Sequence, residues 1–141
     1  MILTFSWDRF VDLIRRGQKI HTIRLDPGRR WKPDRKIHFW RGNPRNPQLR
    51  PYPFAEGICS KVSDIAVDFR REEYTIDSKK YSTASDRDHL ARNDGFVNWL
   101  EMAAMFDVEV FTGRLIYWDT ATLNLFSDRR VEEYRKERYG E

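Results

Sequence analysis

"FVDLIRRGQKIHTIR", residues Phe10 to Arg24, compresses a helix, a stop and the start of a strand into one short run. Phe10, Val11, Leu13 and Ile14 recur at helical spacing on one face. Ser6 stands before them as the expected N-cap, and Asp8 falls in the first turn, where an acid suits the helix dipole. Arg15 and Arg16 suit the opposite end, and Gly17 is the expected residue just past it. Residues 19–25 then alternate and favour β-branched types, which predicts a strand. That strand carries an amine (Lys19), an imidazole (His21), a hydroxyl (Thr22) and a guanidinium (Arg24). A strand that only filled a core would not need such side chains.

Working outward, ILTF (2–5) predicts a short strand ahead of the helix. DPGRRWKPD (26–34) is a loop, KIHFW (36–40) a strand, and RGNPRNPQLRPYP (41–53) a long irregular loop. Loops of that length in compact domains are often functional. A strand region follows over 54–69, with Gly57 marking an expected bulge. Residues 70–82 read as a surface strand pair. Ser85 is the expected cap of a helix, a second helix covers about 97–105, and 108–118 is a strand. A charged helix over 127–141, with a thin Val131/Tyr134 face, is expected to pack loosely. Strands and helices do not alternate as in a doubly wound parallel sheet. The pattern predicts an α+β domain: a small, mostly antiparallel barrel with flanking helices.

The chain has 141 residues, which suits one domain, and its 40% apolar content excludes a disordered class. Mean hydropathy is −0.77 and no long apolar run exists, so no membrane span is expected. The N-terminus turns polar too early for a signal peptide, so a cytoplasmic location is expected. Cys59 is the single cysteine; it excludes an internal disulfide and reads as a small core residue. No histidine cluster has metal spacing, so neither metal nor cofactor is expected. Charge is unevenly spread. Residues 15–50 hold twelve lysines and arginines against two aspartates, a balance of +10 in a chain whose net charge is +4, leaving −6 for the remainder. Such a window suits an anionic partner, nucleic acid above all.

The same run resembles the signature of ASCH domains, members of the PUA-like superfamily: an apolar helix face, a glycine, a lysine, then a strand ending in T-x-R. "ARNDGFVNWLEMAAMF" resembles the family's second landmark, an acid before Gly-Phe followed by a helix, and "FTGRLIYW" its last strand. The loop and strand "RWKPDRKIHFWRGNPRN" sits where relatives carry a basic, proline-containing turn. The resemblance covers residues 2–118, the expected ASCH/PUA-like domain, and leaves 119–141 as a charged helical extension. It implies a PUA-like pseudo-barrel of about five or six strands, with a cleft between the first helix–strand unit and the Asp94 segment. It implies binding of RNA or a nucleotide. Some small bacterial members hydrolyse the amide of acetylated cytidine with a lysine, a threonine and a glutamate. The first two map onto Lys19 and Thr22, and the acid onto Asp94, or onto Asn93 with a one-residue shift. Aspartate is one methylene shorter than the family's glutamate.

Lys19 suits a phosphate as an ammonium. As a general base it must be neutral, which costs about 4.6 kcal/mol at pH 7 in an unperturbed site. The cations Arg16 and Arg24 lower that cost and Asp94 raises it. Thr22 could act as a nucleophile if Lys19 activated it, but in an ideal strand the two face opposite sides. Arg24 shares the face of Thr22 and suits bidentate recognition of phosphate or carboxylate, or a structural ion pair with Asp94 or Glu56. His21 points the other way and reads as a surface or packing residue. Arg29, Arg30, Lys32, Arg41 and Arg45 form the loop cations of a nucleic-acid footprint. Trp31, Trp40 and Tyr52 lie within or beside these arginine-rich loops, where aromatics suit base stacking; Trp31, in a loop, is the better stacking candidate, Trp40 reads also as barrel core, and Trp99 and Trp118 read as core.

Overall fold

The computed structural model describes all residues, Met1–Glu141. In chain order the elements are β1 (Ile2–Phe5), α1 (Asp8–Arg15), β2 (His21–Arg24), β3 (Lys36–Arg41), β4 (Tyr52–Asp68), β5 (Glu73–Ile76), β6 (Lys79–Tyr81), α2 (Ala84–Asn93), α3 (Trp99–Phe106), β7 (Val110–Trp118), β8 (Asn124–Leu125) and α4 (Asp128–Tyr139). The protein is α+β, with four helices and one mixed eight-stranded sheet. No helix is long and apolar enough to cross a membrane.

The 17-residue strand β4 organises the sheet. Its first part pairs with β3 and β8, and its second part with β7 and β5. The register shifts between Cys59 and Lys61, so Ser60 is the extra residue that lets one strand serve both halves. The bulge expected at Gly57 is not there: the irregularities flank it, at Phe54 against β3 and at Ser60 against β7. Gly57 answers to space: a Cβ there would stand 2.7 Å from Leu123 and 3.2 Å from Phe39.

Only β1 and β3 run parallel; every other pair is antiparallel. The sheet is not closed. β1 pairs only with β3 and β2 only with β7, so these two strands leave free edges. The Arg24 guanidinium reaches across that seam to the Thr4 carbonyl. Two apolar cores result. One gathers Phe5, Val11, Ile14, Phe39, Phe54, Ile116 and Trp118, the other Ile23, Val67, Leu90, Phe96, Trp99 and Leu115; Phe10 packs against both.

Several local expectations shift. Trp7, not Ser6, precedes α1, and its indole stacks on Phe10 at 5.0 Å in place of a hydroxyl cap. Thr83, not Ser85, caps α2, its Oγ1 accepting from the Asp86 amide at 3.0 Å. The helix α4 docks firmly: Val131 is buried, the Tyr139 hydroxyl donates to the Pro51 carbonyl, and Arg130 lies 3.6 Å over Phe126.

Candidate functional site

The turn after α1 delivers Lys19. Gly17 adopts a φ of 72°, and the amides of Gln18 and Lys19 both donate to the Leu13 carbonyl. On the next residue, the Ile20 amide donates to the Asn93 carbonyl at 2.9 Å, which pins this turn to the end of α2. That end is built for the contact. The Phe96 amide returns to the Ala91 carbonyl and the Gly95 amide to the Arg92 carbonyl, a Schellman closure that uses two of the helix's orphan acceptors. The carbonyls of Asn93 and Asp94 stay free, the first for Ile20 and the second for the Lys19 amine. A cation at a helix C-terminus is also favoured by the helix dipole.

Lys19 is 1% exposed and Asp94 3%. The amine donates to the carbonyls of His21, at 2.9 Å, and Asp94, and stands 3.5 Å from Asp94 Oδ1. It also lies 4.7 Å over the Phe10 ring. Burial lowers its pKa to about 8; Asp94 pulls it up and Arg24 pushes it further down. Gly95 closes the roof. Its φ of 95° suits glycine, and a Cβ there would meet Phe10 at 2.9 Å and the Lys19 stem at 3.0 Å.

Thr22 is buried on the next strand, and its Oγ1 accepts from Arg24 Nε at 3.1 Å. The two therefore share one face, as strand alternation requires. Arg24 pairs with neither Asp94 nor Glu56. It bonds to Thr22 and Thr4 and lies 5.0 Å over Phe5, and burial lowers its pKa from the ordinary value. Lys19 precedes β2, in the turn, and so escapes the alternation that would set it opposite Thr22. Lys19, Thr22, Arg24 and Asp94 line one recess of about 240 Å³ at the seam, walled by Phe5, Trp7, Phe10, Phe96 and Phe106. Asn93 does not enter it; its amide turns to His89 at 3.1 Å.

Other expected contributors lie elsewhere. Trp31 is 6% exposed and sits in the first core with Leu3 and Ile37, so it cannot stack on a base. Asp26 folds the loop back by accepting from the amides of Arg30 and Trp31, which turns the indole inward. Trp40 is half-buried, edge-on to Tyr134 at 5.9 Å. Arg29 pairs with Asp64 and Arg41 with Asp8. Arg30, Lys32 and Arg45 are exposed. Seven of the twelve cations in the basic window have an acidic partner within 4 Å, so the free charge there is smaller than the sequence implies.

The residue missed from sequence is His21. It is 2% exposed, and its Nδ1 lies 2.9 Å from Asp94 Oδ1. Its strand face was legible, but its acidic partner is 73 residues away. Compared with protein-family models, curated proteins and solved structures, the chain matches none.

Proposed function

We propose that this chain is an ASCH-type module with an open, PUA-like pseudo-barrel, and that it binds a nucleotide or an unpaired RNA base in the recess at its seam. The observation that carries this reading is the convergence of Lys19, Thr22, Arg24 and Asp94 in one small aromatic-walled hollow. Such a hollow suits one planar group held by a few placed polar atoms. Asp94 offers an acceptor, the Thr22 hydroxyl keeps its proton free to donate, and the unused Arg24 N–H groups suit a phosphate or a base oxygen. The exposed cations Arg30, Lys32 and Arg45 add a general attraction for a polyanion.

The test is equilibrium binding of the four nucleoside 5′-monophosphates and of a short single-stranded RNA. Arg24→Ala is expected to weaken both by about tenfold or more. A combined Arg30/Lys32/Arg45 neutralisation is expected to weaken only the RNA and to flatten its salt dependence. That dependence follows a log–log slope of about −0.7 per phosphate contacted. No binding of either class at low salt overturns the reading.

A second reading, hydrolysis of an acetylated cytidine-type nucleoside, is favoured by the depressed Lys19 pKa. With a pKa of about 8, neutral Lys19 costs only about 1.4 kcal/mol at pH 7. Its two N–H bonds would still serve the His21 and Asp94 carbonyls, leaving the lone pair for a water. The water's oxygen would add to the amide carbonyl as its proton passed to Lys19. The C–N bond would then break, the proton would move to the leaving amine, and acetate would depart. Thr22 accepts from Arg24, which dulls it as a nucleophile and leaves it an orienting role. Acetate release that disappears in Lys19→Ala supports this reading; release that survives the change removes it.

A further inference from the structure

His21 faces away from the recess, yet the site is tied to it. We propose that His21 is a positioning residue: by donating from Nδ1 to Asp94 Oδ1, it turns the carboxylate so that Oδ2 is left for the ligand and the Lys19 amine is kept at 3.5 Å from the acid instead of closing on it.

The surrounding geometry makes the need plain. Asp94 caps the C-terminus of α2, the negative end of the helix dipole, where a carboxylate is unwelcome without donors. Lys19 is the obvious donor, but its amine is spent on the main-chain carbonyls of His21 and Asp94 and stays 3.5 Å from Oδ1. At 2.9 Å, His21 makes the shorter contact to Oδ1, where the Lys19 amine stands at 3.5 Å. Oδ2 makes no hydrogen bond within the protein, and Asp94 lines the recess. The imidazole is itself fixed. His21 pairs with Tyr117 across β2 and β7, and the Tyr117 ring meets it edge-on at 5.1 Å. Arg24, the remaining charge facing this cluster, is held by Thr22 and Thr4. Lys19, Asp94 and His21 thus close a cycle: main chain holds the cation, and a side chain holds the acid. Groups that orient a ligand-facing carboxylate typically matter by about 10–100-fold where they have been removed from metal sites.

The ligand half of this proposal rests on the recess reading above; the Lys19 half does not. The test is NMR titration of the Lys19 side chain in the ligand-free protein, wild type against His21→Phe, His21→Asn and His21→Gln. Mononucleotide affinity is measured on the same samples. In His21→Phe the freed carboxylate closes on Lys19, so the lysine midpoint rises by about one unit or more. Affinity for the mononucleotides falls about tenfold. Asparagine places an N–H near the Nδ1 position and restores wild-type behaviour; glutamine does not. An unchanged midpoint in folded His21→Phe overturns the proposal. If the phenylalanine variant fails to fold, equal behaviour of the asparagine and glutamine variants overturns it instead. Should the wild type bind no mononucleotide while the midpoint still shifts, the recess reading falls and the positioning of Asp94 stands.

Discussion

Replacing Lys19 by methionine should change how stability varies with pH, in a direction the burial dictates. In the unfolded chain this amine keeps its proton up to its ordinary value of 10.5, and in the fold only up to about 8. Between those values the unfolded state binds the extra proton, so raising pH favours the folded state. Below pH 8 both states are protonated and the contribution is flat. The gap of about 2.5 units, at roughly 1.4 kcal/mol each, makes wild type gain on the order of 3 kcal/mol between pH 8 and pH 10.5. Other groups oppose this rise. Burial raises the phenols of Tyr74 and Tyr117, so the fold holds protons there that the unfolded chain releases near pH 10, and stability falls. Both tyrosines remain in Lys19→Met, so the difference between the two proteins isolates the lysine. The variant also leaves the His21 and Asp94 carbonyls without their donor, a cost that does not vary with pH. Urea unfolding of both proteins from pH 7 to pH 10.5 gives the difference directly. A gap that moves by about 3 kcal/mol toward wild type across the upper part of this range supports a buried, weakly paired amine. Parallel curves refute it.

Gly95→Ala should destabilise by about 2 kcal/mol or more and shift Lys19 resonances, because it combines a positive φ with a clash against Phe10 and the Lys19 stem; thermal melts and Lys19 NMR check this. Trp31→Ala should cost about 3–5 kcal/mol in urea unfolding through loss of a core side chain. If Trp31 were a stacking residue, the loss would appear in RNA affinity with stability unchanged. Arg24→Lys should weaken mononucleotide binding nearly as much as Arg24→Ala, since an ammonium cannot bridge Thr22 and Thr4 while offering a planar fork; isothermal titration of both variants decides.

What the sequence made legible follows from range. The helix, stop and strand of residues 10–24 are local, and periodicity with Gly17 predicted them within a residue or two. The shared face of Thr22 and Arg24 is a two-residue relation, fixed by the pleat. The seam, the bulge at Ser60 and the two-core plan depend on how a 17-residue strand is divided between partners, which no local pattern states. A loop tryptophan among arginines reads as exposed, whereas Asp26 turns Trp31 inward through two hydrogen bonds from backbone amides. For His21 the sequence offers strand parity alone. Its face was right, but that face meets the C-cap of α2 and not solvent. The Lys19–Asp94 meeting was expected from the resemblance; its means, main-chain carbonyls freed by a Schellman closure, needed coordinates.

The most direct measurement is a crystal structure of the protein soaked with a nucleoside 5′-monophosphate. The account predicts the ligand's planar group inside the recess, with polar atoms within hydrogen-bond distance of Asp94 Oδ2, the Thr22 hydroxyl and Arg24. A nucleotide seated only on the Arg30/Lys32/Arg45 surface, with the recess empty, would contradict it.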